Sequence, residues 1–162
     1  MAATNLIKLK AKTYIKMIEN SAGTRMFNSA FVRDKETSEE LDILNDGEYS
    51  CAFFVSGLLT LFGVMDRPHA TVKTLVKKLE EAEDWQEVSS NELKAGDVIV
   101  WEEIIFDDGS KYEHIGFYLD KDTAVSTDWG KRMVSLHHPT CGTENGKPKR
   151  PITRGFRNSE LL

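Results

Sequence analysis

The sequence predicts an α+β protein in which three helices precede an antiparallel β-sheet. The first half of the chain contains three segments with helical character, whereas from Trp85 onward the apolar runs are short and separated by turn residues. Asp108-Gly109 is a strong hairpin signal between two of these runs. Strands that follow one another through short turns pair antiparallel, so the helices are expected to pack on one sheet. A length of 162 residues favours one domain over residues 1–162.

The first and third predicted helices are amphipathic. The first ends near residues 21–23, and its apolar face comprises Ile7, Ala11, Tyr14, Ile15 and Ile18. The third follows residues 67–71, and its apolar face comprises Val72, Leu75, Val76, Leu79 and Ala82. His69 is expected to be exposed at the start of that helix. After the first helix, residues 34–40 are predicted to form a solvated loop, and the expected buried residues are Phe27, Phe31 and Val32.

The second helix, within residues 46–63, contains a cysteine at a position suited to catalysis. Ser50 is a good N-cap and Gly63 a natural C-cap around an apolar run, which predicts a helix buried inside the domain. Cys51 lies in the first turn, where unpaired backbone N–H groups and the helix dipole stabilise an anion. A thiol there can ionise near neutral pH and act as a nucleophile. The alternative interpretation is an inert buried cysteine.

The predicted strands offer a base and an orienting group for this thiol. They comprise residues 98–101, 114–119, 123–128 and 133–136. His114 begins a strand after a polar hairpin, so its imidazole is expected at a sheet end, where it can act as the base for Cys51. Alternation places Ser126 and Asp128 on one face of the adjacent strand. Either could hold the imidazole in one tautomer, and we prefer Asp128 because its carboxylate can stabilise an imidazolium.

Three motifs follow one another in the order of these segments. They are YSCAFFV at residues 49–55, LKAGDVIVW at residues 93–101 and HIGFYL at residues 114–119. They resemble the nucleophile helix, the Gly-Asp strand and the base strand of the bacterial NlpC-type papain-like cysteine peptidases and their CHAP amidase relatives. Residues 155–157 are faintly similar to the closing strand of that family, at the end of a basic loop that begins at residue 139. The resemblance covers about residues 46–137 and implies a papain-like NlpC-type fold.

The resemblance implies a cysteine hydrolase that cleaves amide bonds in peptidoglycan stem peptides through an acyl-enzyme. Cys51 would be its nucleophile, His114 its base, and Asp128 or Ser126 the third catalytic group. Tyr49 and Ser50, directly before the nucleophile, are the expected substrate-binding residues. The small size suits a phage lysin or an injected effector toxin, for which an immunity or inhibitor protein is a further candidate partner. A monomer without cofactor or metal is expected.

Departures from the family pattern keep other functions open. The family's Asp-Cys-Ser-Gly is replaced here by residues 50–53, Ser-Cys-Ala-Phe, and the Gly-rich lead with its aromatic turn is missing. One alternative is an intracellular deamidase or acyltransferase with the same Cys–His chemistry, and another is a catalytically inactive binding module. The cysteine precedes the histidine, which argues against the circularly permuted acyltransferase relatives.

Charge and composition argue against several classes of function. A net charge of −5 disfavours general nucleic-acid binding, and no stretch approaches membrane-spanning length. Residues 1–10 show no signal-peptide pattern, so synthesis in the cytoplasm is expected, with a non-classical route if the protein acts outside the cell. Residues 139–162 contain five Lys/Arg and two Glu, a local balance of +3, and are expected to form a solvated basic tail.

The remaining cysteine and two histidines suggest alternatives that we consider weaker. A disulfide between Cys51 and Cys141 would silence the helix thiol, but two cysteines cannot define a disulfide framework. Together, His137, His138 and Cys141 could contribute to a zinc site. A structural zinc needs four ligands, however, and adjacent histidines on a strand point to opposite faces. A strand end that runs into a loop is therefore the preferred interpretation.

Overall fold

The computed structural model describes residues 6–162, so the predicted absence of a signal peptide concerns a segment that lies partly outside the described residues. Within them the helices are α1 (Lys10–Asn20), α2 (Cys51–Leu61) and α3 (Val72–Glu81). The strands are β1 (Phe31–Arg33), β2 (Glu40–Asp42), β3 (Trp85–Val88), β4 (Val98–Ile105), β5 (Lys111–Asp120), β6 (Thr123–Asp128), β7 (Met133–His137), β8 (Thr143–Glu144), β9 (Lys147–Pro148) and β10 (Ile152–Asn158).

A six-stranded sheet with the order β3-β10-β4-β5-β6-β7 forms the centre of the fold. Every neighbouring pair in it is antiparallel. Two short hairpins, β1–β2 and β8–β9, lie outside it. The α+β prediction is therefore confirmed, as is the hairpin at Asp108-Gly109, where Gly109 adopts a φ of +81°. The strand predicted at residues 114–119 is present, but it begins at Lys111, so His114 lies within the paired strand and not at its start.

Strand β10 corrects the prediction of a solvated basic tail. It lies between β3 and β4 inside the sheet, and its Phe156 side chain is buried. Arg157 donates to both carboxylate oxygens of Asp97, at 2.9 and 2.6 Å, and Asp97 is fully buried. The two arginines of β10, Arg154 and Arg157, are both neutralised by acidic partners elsewhere in the chain.

The sheet separates two layers of side chains. One face packs against the helices, with Phe117 of β5 stacked edge-on against Phe54 of α2 and Tyr14 of α1. The opposite face carries a smaller cluster around Ile99, Trp101 and Ala124. Successive side chains of a strand point to opposite faces, so His114 lies on the side of Trp101 while its neighbour Ile115 packs with the helices.

Several local predictions fail where tertiary contacts override the pattern. Phe31 and Val32 are 74% and 41% exposed because they lie in the unpredicted β1–β2 hairpin, whereas Phe27 is buried as expected. Ile7 precedes α1 and is exposed. His69 is buried, since its backbone amide donates to the hydroxyl of Ser56 in α2 at 2.7 Å. No helix within residues 6–162 is long and apolar enough to cross a membrane.

Candidate active site

Cys51 is the first residue of α2 and is only 5% exposed. Its sulfur lies beside the backbone N–H groups of Ala52 and Ile115, which favour the thiolate. The register pairs of β5 with β6 extend only as far as Phe117–Val125, so Ile115 lies just beyond the paired stretch. The helix start therefore meets β5 at Ile115, and His114 is the residue directly before this contact.

The loop before Cys51 is held in a tight left-handed conformation. Asn45, Asp46 and Gly47 all have positive φ angles, of 48°, 51° and 92°. A Cβ on Gly47 would lie 2.6 Å from the side chain of Asn28, so only glycine fits at this position. Arg132, in the β6–β7 turn, donates to the carbonyl oxygen of Asp46 at 3.3 Å and so ties the loop to the sheet.

A chain of hydrogen bonds runs from His114 across two further strands. Nε2 of His114 is 2.8 Å from Oγ of Ser126, and the same oxygen is 2.7 Å from Nε2 of His137. Nδ1 of His137 lies 2.9 Å from the carbonyl oxygen of His138. Nδ1 of His114 is buried and has no hydrogen-bond partner among the described residues.

The carbonyl oxygen of His138, at the end of this chain, determines the tautomers of both histidines and the direction of the Ser126 hydroxyl. A carbonyl oxygen only accepts, so Nδ1 of His137 carries its proton, and Nε2 of the neutral ring accepts from the Ser126 hydroxyl. The Ser126 oxygen then accepts from Nε2–H of His114. With its single proton on Nε2, neutral His114 keeps an unprotonated Nδ1, which is the form that a general base requires.

Aromatic rings and a glycine hold His114 in this position. The imidazole lies 5.0 Å from the ring of Trp101 on β4 and 5.7 Å from that of Tyr112, which stacks on it at 24°. Gly116 allows β6 to approach, because a Cβ there would lie 2.8 Å from Cβ of Ser126. A larger residue at this position would push Ser126 away from the imidazole.

Burial keeps both reacting groups neutral at pH 7. It raises the pKa of the Cys51 thiol to about 11, and the backbone N–H groups and the charge of Arg150 offset only part of this effect. Burial, with smaller contributions from Arg150 and His137, lowers the pKa of His114 to about 3. The expectation of a thiol that ionises near neutral pH at the helix start is therefore wrong for this closed arrangement, because desolvation outweighs the helix terminus.

The structure brings Ser126 to His114 and leaves Asp128 away from it. The Asp128 carboxylate accepts from the backbone amides of Gly130 and Lys131, at 3.0 Å each, and pairs with the Lys131 ammonium. It stabilises its own turn and makes no hydrogen bond to the imidazole. Our preference for Asp128 as the orienting group is thus corrected in favour of Ser126, which was the alternative.

Of the two predicted substrate-binding residues, only Tyr49 is accessible. Tyr49 is 49% exposed and lines a pocket of about 510 Å³ with Trp129 and Tyr112. Ser50 is 1% exposed and donates its hydroxyl to the carbonyl oxygen of Gly47 at 2.9 Å, so it is unavailable to a substrate. It also does not cap α2 with its side chain.

A second pocket, of about 400 Å³, contains His114 and His137. It is lined by His114, Ser126, His137, Cys141 and Arg150, and Tyr112 borders both this pocket and the first. Cys141 is an exposed free thiol and Cys51 a buried one, so no disulfide joins them. In the part of the chain that the structure describes, no group of three or more His, Cys, Asp or Glu side chains is arranged to hold a metal.

His137 is the site residue that the sequence did not indicate as a partner of His114. The register of β6 with β7 pairs Ser126 with Ser135, which makes His137 a diagonal neighbour of Ser126 on the same face. Counting along the predicted strands with their turn could have found this contact.

Fold and site together define an α+β protein with a buried His–Ser–His hydrogen-bond chain on the sheet and a buried cysteine at the start of α2. No family model matches the chain, and no curated protein or solved structure matches it either.

Proposed function

We propose that this protein is a cysteine amidase or peptidase of the NlpC-type papain-like class, acting on amide bonds in peptidoglycan stem peptides. The observation that carries the proposal is the hydrogen-bond chain that leaves Nδ1 of His114 unprotonated and unpartnered, next to the strand residue that contacts the Cys51 sulfur. A buried imidazole without a partner on one nitrogen is uncommon in a structural role.

Cys51 and His114 must first approach each other, since no hydrogen bond joins them in the structure. The reaction then begins with proton transfer from the Cys51 thiol to Nδ1 of His114, while the sulfur attacks the carbonyl carbon of the substrate amide. The backbone N–H of Cys51, at the helix start, helps to hold the oxyanion. His114 then gives its proton to the leaving amine, and an acyl-enzyme remains on the sulfur. A water molecule that His114 deprotonates releases the acid and restores the thiol.

Ser126 and His137 act on His114 rather than on the substrate. The Ser126 oxygen accepts a hydrogen bond from Nε2–H of His114, and the Ser126 hydroxyl donates one to Nε2 of His137. The arrangement fixes the tautomer without supplying a negative charge, unlike a carboxylate in the same position. The imidazolium that forms during the reaction is consequently less stabilised, and turnover is expected to be slower than with an aspartate partner.

Substrate can reach the sulfur only after a movement of the protein, because Cys51 is only 5% exposed. Tyr112 is the side chain best placed to move. It lines both pockets, and its hydroxyl is buried without a partner among the described residues. A buried hydroxyl without a hydrogen bond costs about 1–3 kcal/mol, and rotation of the Tyr112 side chain towards solvent would remove this cost.

The papain-like class and the cell-wall substrate are supported by the order of the elements and by the motifs at residues 49–55, 93–101 and 114–119. The nucleophile helix precedes a strand with the base, and the next strand along the chain supplies the orienting group. The buried thiol itself favours one alternative, a catalytically inactive binding module. An intracellular deamidase or acyltransferase would use the same Cys–His pair.

The test is digestion of a mixed muropeptide preparation, with the products identified by mass spectrometry. Wild-type protein should generate new peptide fragments, and Cys51→Ala and His114→Ala proteins should generate none, with unfolding temperatures close to that of the wild type. Cys141→Ala is the matched control, because Cys141 is an exposed thiol in the same pocket as His114, and this protein should retain activity. Activity that survives Cys51→Ala would refute the proposal.

Two further variants test the orienting group in the same assay. Ser126→Ala should lower turnover more than Asp128→Asn, because only Ser126 contacts the imidazole. A greater loss from Asp128→Asn would restore the original preference. If no muropeptide changes while Cys51 still reacts with iodoacetamide, the wall substrate is wrong and the deamidase or acyltransferase hypothesis replaces it.

A further inference from the structure

Arg150 is a buried arginine whose charge has no partner in the structure. It lies after β9 with 8% of its surface exposed and lines the pocket that contains His114. Its Nε donates to the carbonyl oxygen of Glu102 and its Nη2 to that of Tyr112, both at 2.9 Å. The guanidinium also lies over the Tyr112 ring, 5.4 Å from its centre.

The other arginines near the sheet are neutralised, whereas Arg150 is not. Arg132 pairs with Glu48, Arg154 with Glu80 and Glu87, and Arg157 with Asp97. Within residues 6–162, no Asp or Glu side chain forms an ion pair with Arg150. Its two acceptors are neutral carbonyl groups, and they use two of its five N–H donors.

Three of the four acidic groups whose charge would act on Arg150 are uncharged at neutral pH, and the fourth, Glu102, forms no ion pair with it. Burial raises the pKa of Cys51, Tyr112 and Cys141, so none of them supplies a negative charge at pH 7. Burial also lowers the pKa of Arg150 itself, as expected of a desolvated cation without a counter-charge. The guanidinium nevertheless stays protonated, because an arginine keeps its charge in proteins.

The pocket is positive although the protein is acidic. Its lining contains the cations Lys131, Lys149 and Arg150 and the single carboxylate of Asp128, a balance of +2 against a net charge of −5 for the chain. Asp128 is already paired with Lys131. A buried charge is costly unless a counter-charge pairs with it. A neutral donor would have been enough to bind the two carbonyl groups, so they do not explain why a charged residue is buried here.

We propose that Arg150 binds a carboxylate of the ligand in this pocket, so that the substrate is an acidic peptide whose carboxylate lies near the amide presented to Cys51. The three remaining N–H donors of the guanidinium suit a carboxylate, which accepts two parallel hydrogen bonds from an arginine. The identity of the ligand as a substrate rests on the proposed function, whereas the anion site itself does not.

Binding is measured on the Cys51→Ala protein, where no turnover interferes. N-acetylglycine and N-acetylglycinamide serve as probes, since they have the same shape and differ in the carboxylate. The Arg150 Nε–H and the Trp129 indole N–H, which both belong to residues lining the pocket, report binding in NMR titrations. We expect the carboxylate probe to bind at least about tenfold more tightly, as charge-assisted hydrogen bonds allow.

Two variants locate the effect. Arg150→Gln should reduce the ratio of the two dissociation constants to about one, since it removes the charge. Lys149→Gln removes one charge from an exposed residue of the same pocket and should change that ratio less than about twofold, because exposed charges are screened. If Arg150→Gln does not fold, selective shifts of the Arg150 Nε–H by N-acetylglycine alone still decide the question.

The outcomes separate this inference from the proposed function. Equal binding of both probes, or an equal loss of selectivity in Lys149→Gln, overturns the anion site even if muropeptides are cleaved. Charge-selective binding that depends on Arg150, without cleavage of any muropeptide, supports the site and contradicts the cell-wall substrate.

Discussion

The buried, neutral His114 should make the protein sensitive to mild acid. Its folded pKa is about 3, and the unfolded histidine titrates near 6.5, a difference of about 3.5 units, which corresponds to at most about 5 kcal/mol. Because the folded pKa is the lower one, the unfolded state takes up the proton first. The stabilisation is complete above pH 6.5 and is lost as the pH falls from 6.5 towards 3.

The measurement is the free energy of unfolding in urea between pH 8 and pH 4.5, for wild type and His114→Gln. This range avoids the titration of most carboxylates. Asp42, for example, has a folded pKa of about 2, so its protonation destabilises the protein only at lower pH. Wild type should lose stability steeply below pH 6.5, and His114→Gln should lose much less. NMR should show the His114 ring untitrated at pH 5.

A His114 ring that titrates near pH 6.5 in the folded protein would refute this reasoning. Parallel stability curves for the two proteins would do so as well. His137, whose pKa burial also lowers, belongs to the same hydrogen-bond chain, so its contribution changes with His114→Gln and the ring of His137 must be followed by NMR in both proteins.

Three further predictions follow from the packing and the charges. Gly116→Ala would place a Cβ 2.5 Å from a backbone oxygen of β6, so it should lower the free energy of unfolding by about 1–3 kcal/mol in urea titrations and reduce activity, whereas unchanged stability would contradict the close approach. Arg157→Gln leaves the fully buried carboxylate of Asp97 without its ion pair and should cost about 3–5 kcal/mol by the same measurement. In a Cys141→Ala protein, iodoacetamide should alkylate Cys51 at a rate that rises with pH towards about 11, and a plateau below pH 8.5 would show that the thiol is not desolvated as described.

Local patterns in the sequence were sufficient to predict most of the elements near the site. The apolar spacing of α3 and the short apolar runs of β4 to β7 between turn residues depend on residues close together in the chain, so a single sequence contains that information. The short turn between β5 and β6 also brings His114 close to Ser126. The start of α2 at Cys51 follows from Ser50 in the N-cap position and from the apolar run after Cys51.

Tertiary structure decided what these residues do, because burial and partners depend on segments far apart in the chain. Asp128 and Ser126 are equivalent by alternation, and only the folded sheet shows that Asp128 stabilises its turn while Ser126 reaches the imidazole. The basic C-terminal segment pairs inside the sheet with strands more than 50 residues earlier. The protonation of Cys51 depends on water that the packed sheet excludes, and no pattern within α2 contains that information.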